Sequence, residues 1–245
     1  SAGENPFFTQ WDTPFGVPPF DKIRAEHFMP AFERGMSLHD AEIDAITSNN
    51  DEPTFENTIL AYDNAGQMLA QTELIFGMLC AAETNERMQA LQEQVMPLLS
   101  AHRDKIRLDE KLFARVKDVY DRRASLGLDA EQSRLLRKTY DAFVRSGALL
   151  DAGQKARLKE INGELSLTAV KFGNNILAEN NNFALELTAD DLEGLPSGVR
   201  DAAREKAQAM GKGDKWVFTL HKPSLIPFLT YSAKRDLREK IYKAY

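Results

Sequence analysis

The sequence EHFMPAFERGMSLHDAEIDAITS, residues 26–48, has the periodicity of an amphipathic helix. Its apolar face recurs at steps of three and four residues and consists of Phe28, Ala31, Phe32, Gly35, Met36, His39, Ile43 and Ile46. This spacing predicts a helix from about residue 27 to residue 48. Pro30 is compatible with that helix because it lies in the first turn.

The same period extends through most of the chain and predicts a mainly α fold, a multi-helix antiparallel bundle. Thr54 is placed to cap a second helix that runs to about residue 82. Further apolar stripes predict helices over residues 88–99, with a kink at Pro97, and over residues 112–120, 135–144 and 158–176. Residues 183–187 and 216–220 read as strands on either side of a helix from about 196 to 210. We expect them to form a small two-stranded β excursion near residues 183–221.

Composition limits the function classes. The 245 residues are 43% hydrophobic and 28% charged, as in a globular protein with a sizeable core. The 31 basic and 37 acidic residues give a net charge of −6 with no basic block, which argues against a nucleic-acid partner. The longest nearly unbroken apolar run covers only residues 74–82, whereas a membrane-spanning helix needs about 20 residues. The single cysteine, Cys80, excludes an intrachain disulfide, and its spacing places it in the core.

Histidines are few and scattered. A zinc site on one helix needs two histidines at i and i+4 with a glutamate beside them. The chain has four histidines, His27, His39, His102 and His221, and no two are closer than twelve residues. We interpret each as a surface or core histidine. The alternative is a zinc site assembled from histidines and carboxylates distant in the sequence, which no sequence pattern supports.

No other catalytic pattern is present. The acidic groups Asp40, Glu42 and Asp44, and the pair Glu83 and Glu86, are spaced as on a solvated helix face, from which an acid–base pair cannot be distinguished. The sequence contains neither a Gly-x-Ser-x-Gly elbow nor a phosphate-binding glycine loop, and Gly-Lys-Gly at 211–213 reads as a turn. We therefore predict no catalytic, cofactor-binding or metal-binding residue in this chain.

An aromatic and proline-rich lead-in, residues 1–24, precedes the first helix. Its aromatic side chains are Phe7, Phe8, Trp11, Phe15 and Phe20. Such a segment either covers a hydrophobic surface of the bundle or recognises another protein. Covering the bundle is the favoured interpretation, because five aromatic rings are costly to leave in water.

Four blocks carry a family resemblance: NPFFTQWDTPFGVPPFDKI at 5–23, EHFMPAFERGM at 26–36, EPTFENTILAYDNAG at 52–66 and KWVFTLHKPSLIPFLTYSAKRDLREKIYKAY at 215–245. Together they resemble the amino-terminal end of zinc metallopeptidases of the thimet oligopeptidase family. The likeness is strongest to the bacterial peptidyl-dipeptidase branch. The zinc site of that family lies on an HExxH helix, and this pentapeptide does not occur in the sequence.

The resemblance implies that residues 1–245 are the amino-terminal helical region of a larger peptidase whose catalytic half is absent. In that family this region forms one wall of a deep channel that restricts access to short peptides. Zinc would belong to the full-length protein and not to this fragment, which is expected to be inactive alone. The implied partners are oligopeptide substrates and the missing catalytic half. A bacterial origin is implied, with the cytoplasm and the periplasm or cell envelope both open.

The competing hypothesis is a non-catalytic helical protein-interaction module, for which the lack of a catalytic pattern is the expected finding. The last helical stretch, residues 236–242, bears on this choice. It reaches the end of the sequence without a glycine, asparagine or proline to stop it. We therefore expect a fold cut in mid-helix, in which Leu237 and Ile241 are poorly buried.

Overall fold

The computed structural model describes residues 5–245, which form two compact units that divide between Lys171 and Phe172. Helices dominate both units. Within the described range, β structure is limited to one two-stranded sheet. The predicted mainly α fold with a small β excursion is confirmed.

Unit 1 contains helices α1 (Ala25–Thr47), α2 (Ala61–Asn64), α3 (Gln67–Ala82), α4 (Glu86–Arg107), α5 (Glu110–Asp121) and α6 (Ala130–Arg145), and α7 (Ala152–Asn182) begins in it. Several of these elements start at a side chain that accepts a hydrogen bond from the backbone N–H three residues later. The capping residues are Asn85 for α4, Asp109 for α5 and Asp129 for α6, and Thr54 caps in the same way a π-helical segment, Phe55–Leu60, that precedes α2. Such caps satisfy N–H groups that have no partner within the helix. Helix α4 continues through Pro97 without a break, and the kink predicted there stays a prediction.

The core of unit 1 forms around α1. Phe28 and Phe32 of its apolar face are fully buried and contact Phe76 of α3, with ring centroids 5.0 and 5.3 Å away. A second cluster joins α1 to α5 and α6 through Ile46, Leu112, Val116, Phe143 and their neighbours. The periodicity of residues 26–48 thus predicted the buried face of this helix.

The predicted continuous helix from residue 55 to residue 82 is wrong. The chain forms a π-helical segment at Phe55–Leu60, continues as α2, and breaks at Ala65 and Gly66 before α3 begins. Gly66 has φ of 76°, a left-handed conformation that favours glycine. A Cβ at this position would also lie 2.9 Å from the ring of His39. The break is set by this close approach to α1, which sequence periodicity does not report.

The lead-in is extended between two short 3₁₀ turns, Pro6–Phe8 and Pro14–Gly16. Phe7 is buried against Phe28, and Phe8 and Trp11 pack on the same cluster. Covering of the bundle is therefore confirmed for these three rings. It is wrong for Phe15, which is fully exposed at a φ of 59°, and for Phe20, which is 40% exposed. Residues 1–4 of the predicted lead-in lie outside the described residues.

Unit 2 contains the end of α7, strand β1 (Leu185–Leu187), helix α8 (Ser197–Ala209), strand β2 (Trp216–Phe218) and helices α9 (Lys222–Tyr231) and α10 (Arg235–Ala244). The strands are antiparallel, with Glu186 opposite Val217. Their buried side chains Leu185, Leu187 and Phe218 pack with Leu225 and Phe228 of α9. This sheet is too small to be stable alone and depends on the helices that cover it.

Helix α10 corrects a second expectation. Ile241 is fully buried in the core of unit 2, and Leu237 is half-buried against the same cluster. The two lie four residues apart, so they share the face of α10 that packs on the unit. The prediction that Ile241 is poorly buried is wrong. Helix α10 is part of the core of unit 2.

Candidate functional site

Unit 1 contains a groove of about 1630 Å³. Its lining comes from α1, α2, α3, α4, α6 and α7 and from the break between α2 and α3. Apolar side chains, among them Leu69, Leu74, Met96, Ile106 and Leu165, form much of the surface. Small-molecule pockets usually have volumes of about 300–1,000 Å³, so a groove of this size suits an extended ligand.

The charged lining is predominantly basic. Its cationic side chains are Arg103, Arg107, Arg137, Lys138 and Arg145, against the three carboxylates Glu73, Asp104 and Asp141. This balance contrasts with the net charge of −6 of the whole chain.

Two of the three carboxylates already have partners inside the groove. Glu73 pairs with Arg103 at 3.3 Å, and Asp104 accepts a hydrogen bond of 2.8 Å from the Asn162 amide. No ion pair among residues 5–245 involves Arg137, Lys138 or Arg145, which are exposed along α6. The groove therefore carries uncompensated positive charge.

Arg107 adds a buried donor to this surface. Its guanidinium lies over the rings of Tyr62 and Phe143, with Cζ 5.6 and 5.2 Å from the ring centroids. Nη1 of Arg107 is buried and has no hydrogen-bond partner among the described residues. A buried N–H donor without an acceptor destabilises the fold, and hydrogen bonds made by a charged donor are stronger than those made by a neutral donor. Arg107 thus contributes a positive charge to the lining of the groove, while its Nη1 is closed to solvent.

A histidine pair lies beside these groups. Nδ1 of His39 on α1 is 3.1 Å from Nε2 of His102 on α4, a hydrogen bond that needs one ring to donate and the other to accept. Nδ1 of His102 faces the Asp40 carboxylate at 3.7 Å, and Asp40 also binds Lys105 at 2.8 Å. Burial lowers the pKa of both histidines, which favours the neutral pair.

The other candidate residues have structural environments. The His27 ring accepts a hydrogen bond from the Arg24 N–H at the start of α1, and His221 is exposed before α9. Cys80 packs on the core of unit 1, where burial raises the pKa of its thiol. Glu42 accepts a hydrogen bond of 2.6 Å from the Gly66 N–H. The predicted solvated face therefore includes a carboxylate that supports the α2–α3 break.

The turn at Gly-Lys-Gly also has a partner. Lys212 and Lys215 both pair with Glu186 of β1, and these bonds lower the pKa of Glu186 to about 2. The motif therefore connects a turn to the sheet.

The described residues do not fit a zinc site. In the range 5–245, no group of three or more His, Cys, Asp and Glu side chains lies close enough to hold a metal ion. The His39–His102 pair supplies only two nitrogens, and the nearby Asp40 is bound to Lys105. We assign no metal ligand among residues 5–245.

The groove and the histidine pair were both missed by the sequence analysis. His39 and His102 are 63 positions apart, and the cations of the groove come from two different helices. One local signal was available: Arg137, Asp141 and Arg145 recur at four-residue steps and so share one face of α6.

No helix of the described part of the chain combines the length and the apolar character needed to cross a membrane.

Comparison with known proteins identifies peptidases as relatives. The chain is 37% identical to the dipeptidyl carboxypeptidase of Escherichia coli and 35% identical to that of Salmonella typhimurium, in each case over 98% of this chain and 35% of the relative. It is 26% identical to oligopeptidase A of Salmonella typhimurium over 95% of the chain and 34% of that protein. No family model matches the chain.

The alignment covers nearly all of this chain, which spans about a third of the length of the curated relatives it matches. The chain matches the amino-terminal region of peptidases of the thimet oligopeptidase family, with higher identity to the bacterial dipeptidyl carboxypeptidases than to oligopeptidase A. The resemblance carried by the four sequence blocks is confirmed.

Proposed function

We propose that this chain is the amino-terminal helical part of a zinc-dependent oligopeptidase that releases dipeptides, and that it forms a wall of the substrate channel. In this role the helical wall admits only short peptides to the catalytic site. The chain supplies no catalytic group, and its partners are oligopeptide substrates and a catalytic half that carries the zinc. The observation that carries the proposal is the alignment of 98% of the chain with a dipeptidyl carboxypeptidase at 37% identity.

The geometry of unit 1 supports a substrate-contacting role. The groove is concave, is lined by several helices and is larger than a typical small-molecule pocket. Packed helices hold such a surface rigidly, so it can admit an extended peptide and exclude a folded protein by size. Its mixed lining offers apolar contacts for side chains and hydrogen-bond donors for carbonyl and carboxylate oxygens.

Zinc enters the proposal only through the longer protein. When bound there, it would polarise the scissile carbonyl and activate water. The residues described here do not fit a zinc site, so we derive no step of hydrolysis from them. The contribution proposed for this chain is to bind and orient the peptide.

Metal content and hydrolysis test the proposal together. We expect the 245-residue chain to retain no stoichiometric zinc after dialysis and to leave a short peptide intact. We expect a longer protein, in which the chain is followed by an HExxH-containing half, to bind zinc and release carboxy-terminal dipeptides in a chelator-sensitive reaction. Chelator-sensitive cleavage by the 245-residue chain alone, or an inactive zinc-loaded longer protein, would contradict the proposal.

The gene sequence separates this function from a non-catalytic interaction module. An open reading frame that continues past the codon of Tyr245 and encodes HExxH supports the peptidase. A stop codon directly after Tyr245 supports the interaction module.

A further inference from the structure

We propose that the groove of unit 1 binds peptides through a carboxylate, and that Arg107, Arg137 and Arg145 are the groups that select it. This inference rests on the proposed function and deepens it, because it names the chemical class of peptide that the groove takes. The shared chemistry is the carboxylate, which an acidic side chain or a free carboxy terminus can supply.

The first argument is the charge of the lining. Arg137 and Arg145 lie on one face of α6, two helical turns apart, and both are exposed with no ion-pair partner in the described part of the chain. Asp141 lies between them in the sequence and is the one groove carboxylate without a partner there. A concave surface with an excess of one charge concentrates ligands of the opposite charge.

The second argument is Arg107. Stacking on Tyr62 and Phe143 holds its guanidinium, and Nη1 is buried without an acceptor. Guanidinium groups bind carboxylates with strong charge-assisted hydrogen bonds, often through two parallel N–H groups. Arg107 is a half-buried residue of the groove lining, so its positive charge adds to the attraction for a carboxylate there. Guanidinium groups bind phosphate as well as carboxylate, so the experiment includes inorganic phosphate as a competitor.

The test measures binding of rhodamine-labelled hexapeptides to the 245-residue chain by fluorescence anisotropy at low salt. One peptide contains glutamates and a free carboxy terminus. In the second the glutamates are replaced by glutamines, and in the third the terminus is amidated. We expect at least one replacement to weaken binding by about tenfold, the effect of one charge-assisted hydrogen bond, and the difference to shrink as salt rises. The replacement that weakens binding identifies the source of the carboxylate.

Variants connect the preference to the groove. The double variant Arg137→Glu with Arg145→Glu is expected to remove the preference for the carboxylate peptide. The matched control is Lys111→Glu with Lys159→Glu, which changes the charge equally at exposed positions outside the groove lining and should keep the preference. Because all four side chains are exposed, the variants should fold, and circular dichroism verifies this. Arg107→Leu removes one positive charge from the lining and should also reduce the preference.

Three results would overturn the inference: equal affinity for all three peptides, equal loss in the two double variants, or displacement of the peptide by inorganic phosphate at matched ionic strength. The last would show that the groove takes a small anion. These measurements do not depend on hydrolysis. An active longer protein whose groove shows no carboxylate preference would refute this inference alone. Selective binding by the 245-residue chain, together with a zinc-loaded longer protein that is inactive, would refute the proposed function alone.

Discussion

Replacing Ile241 by alanine should destabilise unit 2 strongly, although the residue lies only four positions from the end of the sequence. Its side chain is fully buried among Leu225, Phe228 and their neighbours. The substitution removes three carbons, which at about 0.8 kcal/mol per buried methylene amounts to about 2.4 kcal/mol. The cavity adds to this cost, and the better helix propensity of alanine offsets a few tenths, so we expect about 2–3 kcal/mol in total.

The two tryptophans allow the unit to be observed separately. Trp11 lies in unit 1 and Trp216 in unit 2, where the Trp216 ring packs partly on the core below the guanidinium of Arg204. In a Trp11→Phe background, tryptophan fluorescence reports unfolding of unit 2. With a urea m-value of about 1 kcal/mol per molar for a unit this small, Ile241→Ala should lower the midpoint by about 2 M.

Tyr242→Ala is the matched control. Tyr242 is the next residue of α10 and is 68% exposed, so its replacement should change the free energy of unfolding by no more than about 0.5 kcal/mol. If the two variants shift the midpoint equally, the last turn of α10 is frayed in solution and the reasoning from burial is refuted.

Two further predictions concern unit 1. Gly66→Ala should destabilise it by about 1–3 kcal/mol, because alanine disfavours a φ of 76° and its Cβ would meet the His39 ring. The control is Gly77→Ala, at an exposed position of α3 with open space around it, which should be neutral or slightly stabilising. Thermal melts of the two variants measure the difference. Burial lowers the pKa of His39 and His102 in the folded protein below the value of about 6.5 that a histidine has in the unfolded chain. As the pH falls through this range the unfolded chain therefore binds more protons than the folded protein, so the free energy of unfolding should decrease between about pH 7 and pH 5. His102→Gln should flatten this dependence in urea titrations at each pH and His221→Gln should not; an unchanged slope in His102→Gln would show that the histidine pair does not contribute.

The sequence by itself predicted most of the helices, both strands and the family resemblance. Residues 26–48 showed the buried face of α1 because a helix places side chains three and four apart on one side. The cap at Thr54 and the strands near Leu187 and Trp216 were also readable, since they depend on residues adjacent in the chain. The four sequence blocks identified the family resemblance that the comparisons confirmed.

The tertiary structure decided the features that need contacts between distant segments. The break at Gly66 depends on the His39 ring of another helix, and the burial of Ile241 depends on α9 and the sheet. The groove depends most on such contacts. Arg107 and Arg145 both line it but belong to separate helices, and no local sequence pattern relates them. Periodicity shows which face of a helix is buried, whereas only packing shows what that face meets.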